Sequence, residues 1–298
     1  MTETNPSARV QFERAADALL RSGHLLFSLA IIALGIETFV CAGSLVGTLI
    51  ETDRLGRILG PVFATCGVGL LFKRTERTAA IALGGLLFLY TLLFEVPKYA
   101  AKPGSMTLRT QVFEPLAIAT LAWFLPGLDA IPNWLAHASR YLLAVSFIVF
   151  GVDHFLALAP IGTLIPPWIP WHVFWIAFFG AGFIAAGLSI GFNFLLRWGA
   201  TGIGLMFAIW VFTLHLPRTA LALYGGGGPH SPDEWSSLFI AMALWGACGR
   251  WPRMFKFRPI EKSESVRPSA RPLLLTRSRT RLPMLLATSC TLVIGMAY

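Results

Sequence analysis

Charged side chains are scarce in this chain of 298 residues. Asp, Glu, Lys and Arg together make up 13% of it, against 55% hydrophobic residues. Soluble domains carry roughly twice that share of charge. A water-soluble enzyme or binding module is therefore excluded as the starting expectation, and a mean hydropathy of +0.66 agrees. Cysteine is scarce too. Cys41, Cys66, Cys248 and Cys290 are dispersed and form no C-x-x-C pair. That excludes a zinc ribbon and a thioredoxin-like dithiol, and the four read as small apolar fillers. A Walker loop, a dinucleotide glycine fingerprint and an H-E-x-x-H pair are all missing, and with them P-loop, Rossmann and zincin chemistry. The histidines show no obvious spacing for paired haem ligands, and no metal site is expected.

Acidic residues are outnumbered, 15 to 24, leaving a formal charge of +9. The positions of the basic residues argue against a nucleic-acid partner. Ten of them lie between 250 and 281, beside an apolar segment, a pattern that reflects membrane topology and anionic headgroups. The expected partner is the lipid bilayer.

What the chain has in abundance is long apolar runs. They are continuous rather than alternating and approach the ~20 residues that span a hydrocarbon core as helix. This predicts an all-α, polytopic membrane protein of two tandem antiparallel four-helix bundles, with spans near 24–50, 57–72, 78–96, 112–126, 141–158, 172–192, 198–216 and 235–249. The organisation reads as an N-terminal cytoplasmic segment 1–22, a first unit 23–127, a second unit 140–249, a basic cytoplasmic tail 250–281, and a short ninth span or interfacial helix at 282–298. The first run is too long, and too poor in a small-residue cleavage site, for a signal peptide. With the N-terminus inside, eighteen of the Lys and Arg fall on the inner side and six on the outer. That orientation predicts a multi-pass protein of the inner membrane with both the N-terminus and the basic tail cytoplasmic.

The two units read as copies. LGIETF at 34–39 matches FGVDHF at 150–155, and LYTLLFEVPK around Glu95 matches IWVFTLHLPR around His215. Gly35 meets Gly151, Glu37 meets Asp153, Pro97 meets Pro217 and Lys98 meets Arg218. Shared composition explains matched leucines, but acidic residues and prolines recurring in register point to duplication. An even number of helices per unit gives both the same orientation in the membrane.

An ionisable group at membrane depth is costly and marks function by default. Asp153, His154 and His215 qualify in the second unit, with Glu37 and Glu95 as counterparts in the first. Asp153 and His154 sit about 100° apart on a helix, so only one should face the bundle interior. A carboxylate opposite a histidine out of water can share a proton; a buried polar bridge that sets helix register is the bland alternative. Glu114 and Glu234 read as interfacial, as does the connection IGTLIPPWIP beside Trp168 and Trp171.

GVDHF, LIPPWIPW, a glycine-rich helix and TLHLPR together resemble the DoxX family of small four-helix membrane proteins. That family shows G-x-x-H-F in its first helix, P-x-W-x-P in the next connection and His-x-Pro ending its third helix. The matching residues are Gly151, His154 and Phe155; Pro167, Trp168 and Pro170; and His215 with Pro217. Pro167 directly precedes Trp168, a departure from the pattern. The likeness covers 140–247 and extends weakly to 24–125, where Thr38 and Glu95 replace the two histidines. The family name comes from a subunit of a thiosulfate:quinone oxidoreductase. The resemblance therefore implies an accessory or catalytic subunit of a membrane oxidoreductase, with quinone as the implied cofactor, a membrane or redox protein as partner, and protons handled at Asp153, His154 and His215. A small-solute transporter and a structural partner of another membrane protein are the alternatives.

Overall fold

The computed structural model describes residues 6–41, 53–224 and 232–248. Every regular element among them is helical: α1 (Pro6–Val40), α2 (Asp53–Leu71), α3 (Glu76–Tyr90), α4 (Val96–Ala101), α5 (Met106–Phe124), α6 (Asn133–Leu156), α7 (Leu158–Gly162), α8 (His172–Gly191), α9 (Leu196–Trp210), α10 (Leu216–Tyr224) and α11 (Pro232–Cys248). Five stretches are long and apolar enough to cross a membrane: Ser22–Val40, Glu76–Ala101, Asn133–Leu156, His172–Gly191 and Trp198–Ala222. Their number fits a multi-pass membrane protein. Leu25, Leu29, Ile36, Val173, Phe174 and Phe178 are exposed, the apolar outer surface that suits lipid contact. Trp134 and Trp198 stand exposed at one end of the helices and Trp168 and Trp171 at the other, as in interfacial aromatic belts.

Several boundaries differ from the sequence expectation. The first helix reaches back to Pro6, into the segment read as a polar leader, and closes at Val40. Positions 42–50 of that expected span lie outside the described residues, as do the glycine-rich part of the loop after Tyr224, the basic tail and the expected ninth helix.

α3 runs into α4, and α9 into α10, through one π turn each: Thr91–Glu95 and Val211–His215. The cause is local. Pro97 and Pro217 bring no N–H, and each ring crowds the carbonyl four residues earlier. Widening the preceding turn relieves the crowding without ending the helix. Hydroxyls engage carbonyls one turn back alongside: Thr91 donates to Leu87 and Thr213 to Ile209, each at 2.8 Å. Glu95 and His215 therefore close equivalent π turns.

α1 and α2 cross at glycine, and so do α6 and α8. A Cβ on Gly35 would lie 2.4 Å from the Ala64 nitrogen and 2.6 Å from the Gly60 oxygen. A Cβ on Gly151 would lie 2.6 Å from the Gly180 oxygen and 3.0 Å from the Ile184 nitrogen. Neither pair of helices can approach this closely with a larger residue.

The helices pack as one connected ring. Neighbours run α1–α2–α3–α5–α6–α8–α9–α11 and back to α1, with α5 also touching α11. α5 thus packs on α6, and α11 on α1. α5 is apolar on every side from Pro115 to Phe124 and buried throughout that length, as a central helix must be. Ser105 caps it, accepting from the Leu108 N–H at 3.3 Å.

Candidate functional site

Asp153 lies in the last turn of α6 and is only 5% exposed. Its partner is not a histidine, as the sequence led us to expect, but Arg109 in the first turns of α5. The Arg109 Nε donates to Asp153 Oδ1 at 2.7 Å, and Nη2 donates to the same oxygen. From sequence, Arg109 falls in the polar connection between the expected spans 78–96 and 112–126. It begins a helix instead, and the packing of α5 on α6 brings it to Asp153. The ion pair fixes the carboxylate as an acceptor. Its second oxygen, Oδ2, is buried with no hydrogen-bond partner.

His154 points away from Asp153's partner, towards α8 and α9. Its ring stacks on Trp210, with centroids 5.7 Å apart and planes 14° apart, and tilts against Phe183 at 5.3 Å. Nδ1 lies 2.7 Å from the Phe150 carbonyl. A carbonyl only accepts, so Nδ1 carries the hydrogen, and in the neutral ring Nε2 is left with its lone pair. His215, at the end of its π turn, has a buried Nδ1 with no partner. Arg218, three residues on, is occupied elsewhere: its Nε donates to Glu234 on α11 at 2.8 Å, and Nη2 donates to the other carboxylate oxygen.

All three expected residues line one cavity of about 590 Å³. That volume suits a small-molecule site. The 100° between Asp153 and His154 holds, but the cavity is broad enough to be bordered by both. Its wall is otherwise aromatic and aliphatic, with Phe150, Trp175, Phe179, Phe183, Phe207 and Trp210. The connection after α7 folds against it through Leu164, Ile165, Pro166, Trp168 and Ile169. The proline-rich segment expected in the membrane interface thus also forms part of the site.

Three buried polar atoms without partners belong to cavity-lining residues: Asp153 Oδ2, Trp175 Nε1 and His215 Nδ1. The first accepts, the second donates, and the third does either according to its tautomer. Unpaired buried polar groups cost about 1–3 kcal/mol each, and these three lie on residues that border the cavity. Glu114 adds a carboxyl from α5. It was read from sequence as interfacial; it lines the cavity instead. Arg109 and Glu114 are the site residues that the sequence reading missed. The available signal was two ionisable residues at the start of an otherwise apolar helix.

The first-half counterparts are arranged differently. Glu37 on α1 is buried and accepts from the Ser236 hydroxyl of α11 at 2.5 Å. Glu95 accepts from the Tyr90 hydroxyl and from Lys98 at 3.0 Å, both on its own helical stretch. Lys98 matches Arg218 in sequence but folds back on Glu95, whereas Arg218 leaves His215 for Glu234. Neither Glu37 nor Glu95 is among the residues that line the cavity of Asp153. Among the described residues no three His, Cys, Asp or Glu side chains gather as metal ligands. No family model, curated protein or solved structure matches the chain.

Proposed function

We propose that the chain is a DoxX-like, duplicated subunit of a membrane oxidoreductase that binds quinone at the cavity of Asp153, His154 and His215. The observation that carries this reading is the convergence of the adjacent Asp153 and His154 with the distant His215 on one aromatic cavity with unpaired polar atoms. The duplication is supported by the matched glycine crossings of α1/α2 and α6/α8 and by the matched π turns.

Quinone supplies two-electron chemistry coupled to two protons, and its electrons would come from a redox partner protein. The chain's own residues handle the protons and the binding. In the reduced form the ring bears hydroxyls. One hydroxyl can donate to Asp153 Oδ2 or to the lone pair on His154 Nε2, and its oxygen can accept from Trp175 Nε1–H. Arg109 orients Asp153 through its two hydrogen bonds to Oδ1, so it acts as a positioning residue. His215 and Glu114 give proton-exchanging groups on another wall. The inner-membrane location with a cytoplasmic N-terminus belongs to the same proposal and rests on the distribution of Lys and Arg.

His154→Leu or His215→Ala should lower quinone-dependent electron transfer in membranes on the order of 100-fold, the scale of a lost acid–base group, while the protein accumulates normally. Unchanged transfer by both variants contradicts the proposal. Effects confined to abundance identify a structural partner, and solute flux in proteoliposomes without an electron donor identifies a transporter.

A further inference from the structure

A second cavity, of about 790 Å³, runs along the outer face between α8 and α9. It shares Phe178, Phe179 and Ile209 with the cavity of His154, so the two spaces meet at a common wall. From Phe178 to Phe192 on α8 it covers roughly 20 Å, about two-thirds of a hydrocarbon core. Its polar side chains offer little to a polar ligand. The Ser189 hydroxyl already donates to the Phe194 carbonyl, and the indole of Trp198 stands at the far end, where α9 begins. Gly182 and Gly202 line it from the two helices, and a Cβ on either would meet nothing within 4 Å. The groove is thus open at Gly182 and Gly202, the end nearer the first cavity, whereas α8 and α9 close together at its far end, where Gly199 meets Ser189.

Resting on the quinone reading above, we infer that this groove holds the hydrocarbon tail of the molecule whose polar ring occupies the cavity of Asp153 and His154. The ligand is thereby a long-tailed membrane lipid that reaches the site sideways from the bilayer, between α8 and α9, past Phe178 and Phe179. Residues with unpaired buried polar atoms border one cavity and not the adjoining one, which matches a molecule with a polar ring at one end and hydrocarbon for the rest. The neighbouring α6–α8 crossing cannot serve as the route, because Gly151 and Gly180 close it.

The test uses the purified full chain and two probes, decyl-benzoquinol and tail-less benzoquinol. Gly182→Leu/Gly202→Leu fills the groove without striking protein. It should weaken the decyl probe on the order of tenfold, equivalent to displacing about two buried methylenes, and leave the tail-less probe unchanged. Either single variant should act in the same direction, so the test survives if the double variant misfolds. Unchanged decyl binding overturns the groove and leaves the cavity reading standing. Equal loss of both probes also overturns it, because the groove would then have no role of its own. Failure of the unaltered protein to bind either probe removes the quinone reading and this inference together.

Discussion

Arg109→Leu will destabilise the protein by about 3–5 kcal/mol, the scale of a buried ion pair that loses one partner. Asp153 is 5% exposed and its Oδ1 takes both hydrogen bonds from Arg109. Removing the guanidinium leaves a carboxylate out of water with nothing to offset its desolvation. The penalty lies in the orphaned charge more than in the lost attraction, which gives the prediction a second arm. Arg109→Leu/Asp153→Leu should recover most of the loss, because two apolar residues replace the pair without leaving a charge behind. Thermal unfolding in mild detergent reads both variants. An Arg109→Leu protein that melts with the native one would show that the pair is solvated. A double variant no better than Arg109→Leu would show that Asp153 is not the group left stranded.

Gly151→Leu will prevent folded protein from accumulating. The added Cβ falls 2.5 Å from Ile184 Cγ1 and 2.6 Å from the Gly180 carbonyl oxygen. A side chain can move aside, but the backbone of α8 cannot without separating α6 from α8 along their most extensive contact. Gly151→Ala, with a single methyl, should be strongly destabilised yet measurable, since overpacking at such a contact costs about 1–3 kcal/mol or more. Gly182→Leu, one helix face away and with open space around its Cβ, should accumulate and melt like the native protein. Gel filtration and thermal unfolding of the three variants check the contrast. Equal behaviour of Gly151→Leu and Gly182→Leu would contradict the crossing.

The helices were legible because long apolar runs have few other folded outcomes in a membrane. Asp153, His154 and His215 were legible for the same reason: each stands out against apolar neighbours. Pro97 and Pro217 led the sequence reading to end the helices at 96 and 216, whereas both continue through a π turn to Ala101 and Tyr224. The partners were hidden. Arg109 and Glu114 reach the site only because α5, while packed on α3, also packs on α6, and α5 shows no apolar stripe to reveal it, being buried on most sides. The expected Asp–His pair failed for a related reason. Arg109, a cation from another helix, reached the Asp153 carboxylate in place of His215. The short helix α7 and the fold of 164–169 against the cavity depend on tertiary contact and leave no periodic trace in so apolar a stretch.

The most direct test of the central claim is the amount of quinone that co-purifies with the chain in mild detergent, measured by mass spectrometry for the native protein and for His154→Leu/His215→Leu. Near-stoichiometric quinone on the native protein, and a loss of about tenfold or more in the double variant at equal melting temperature, is the predicted result. Equal quinone on both proteins, or none on the native one when membrane quinone is abundant, would contradict a quinone site at this cavity.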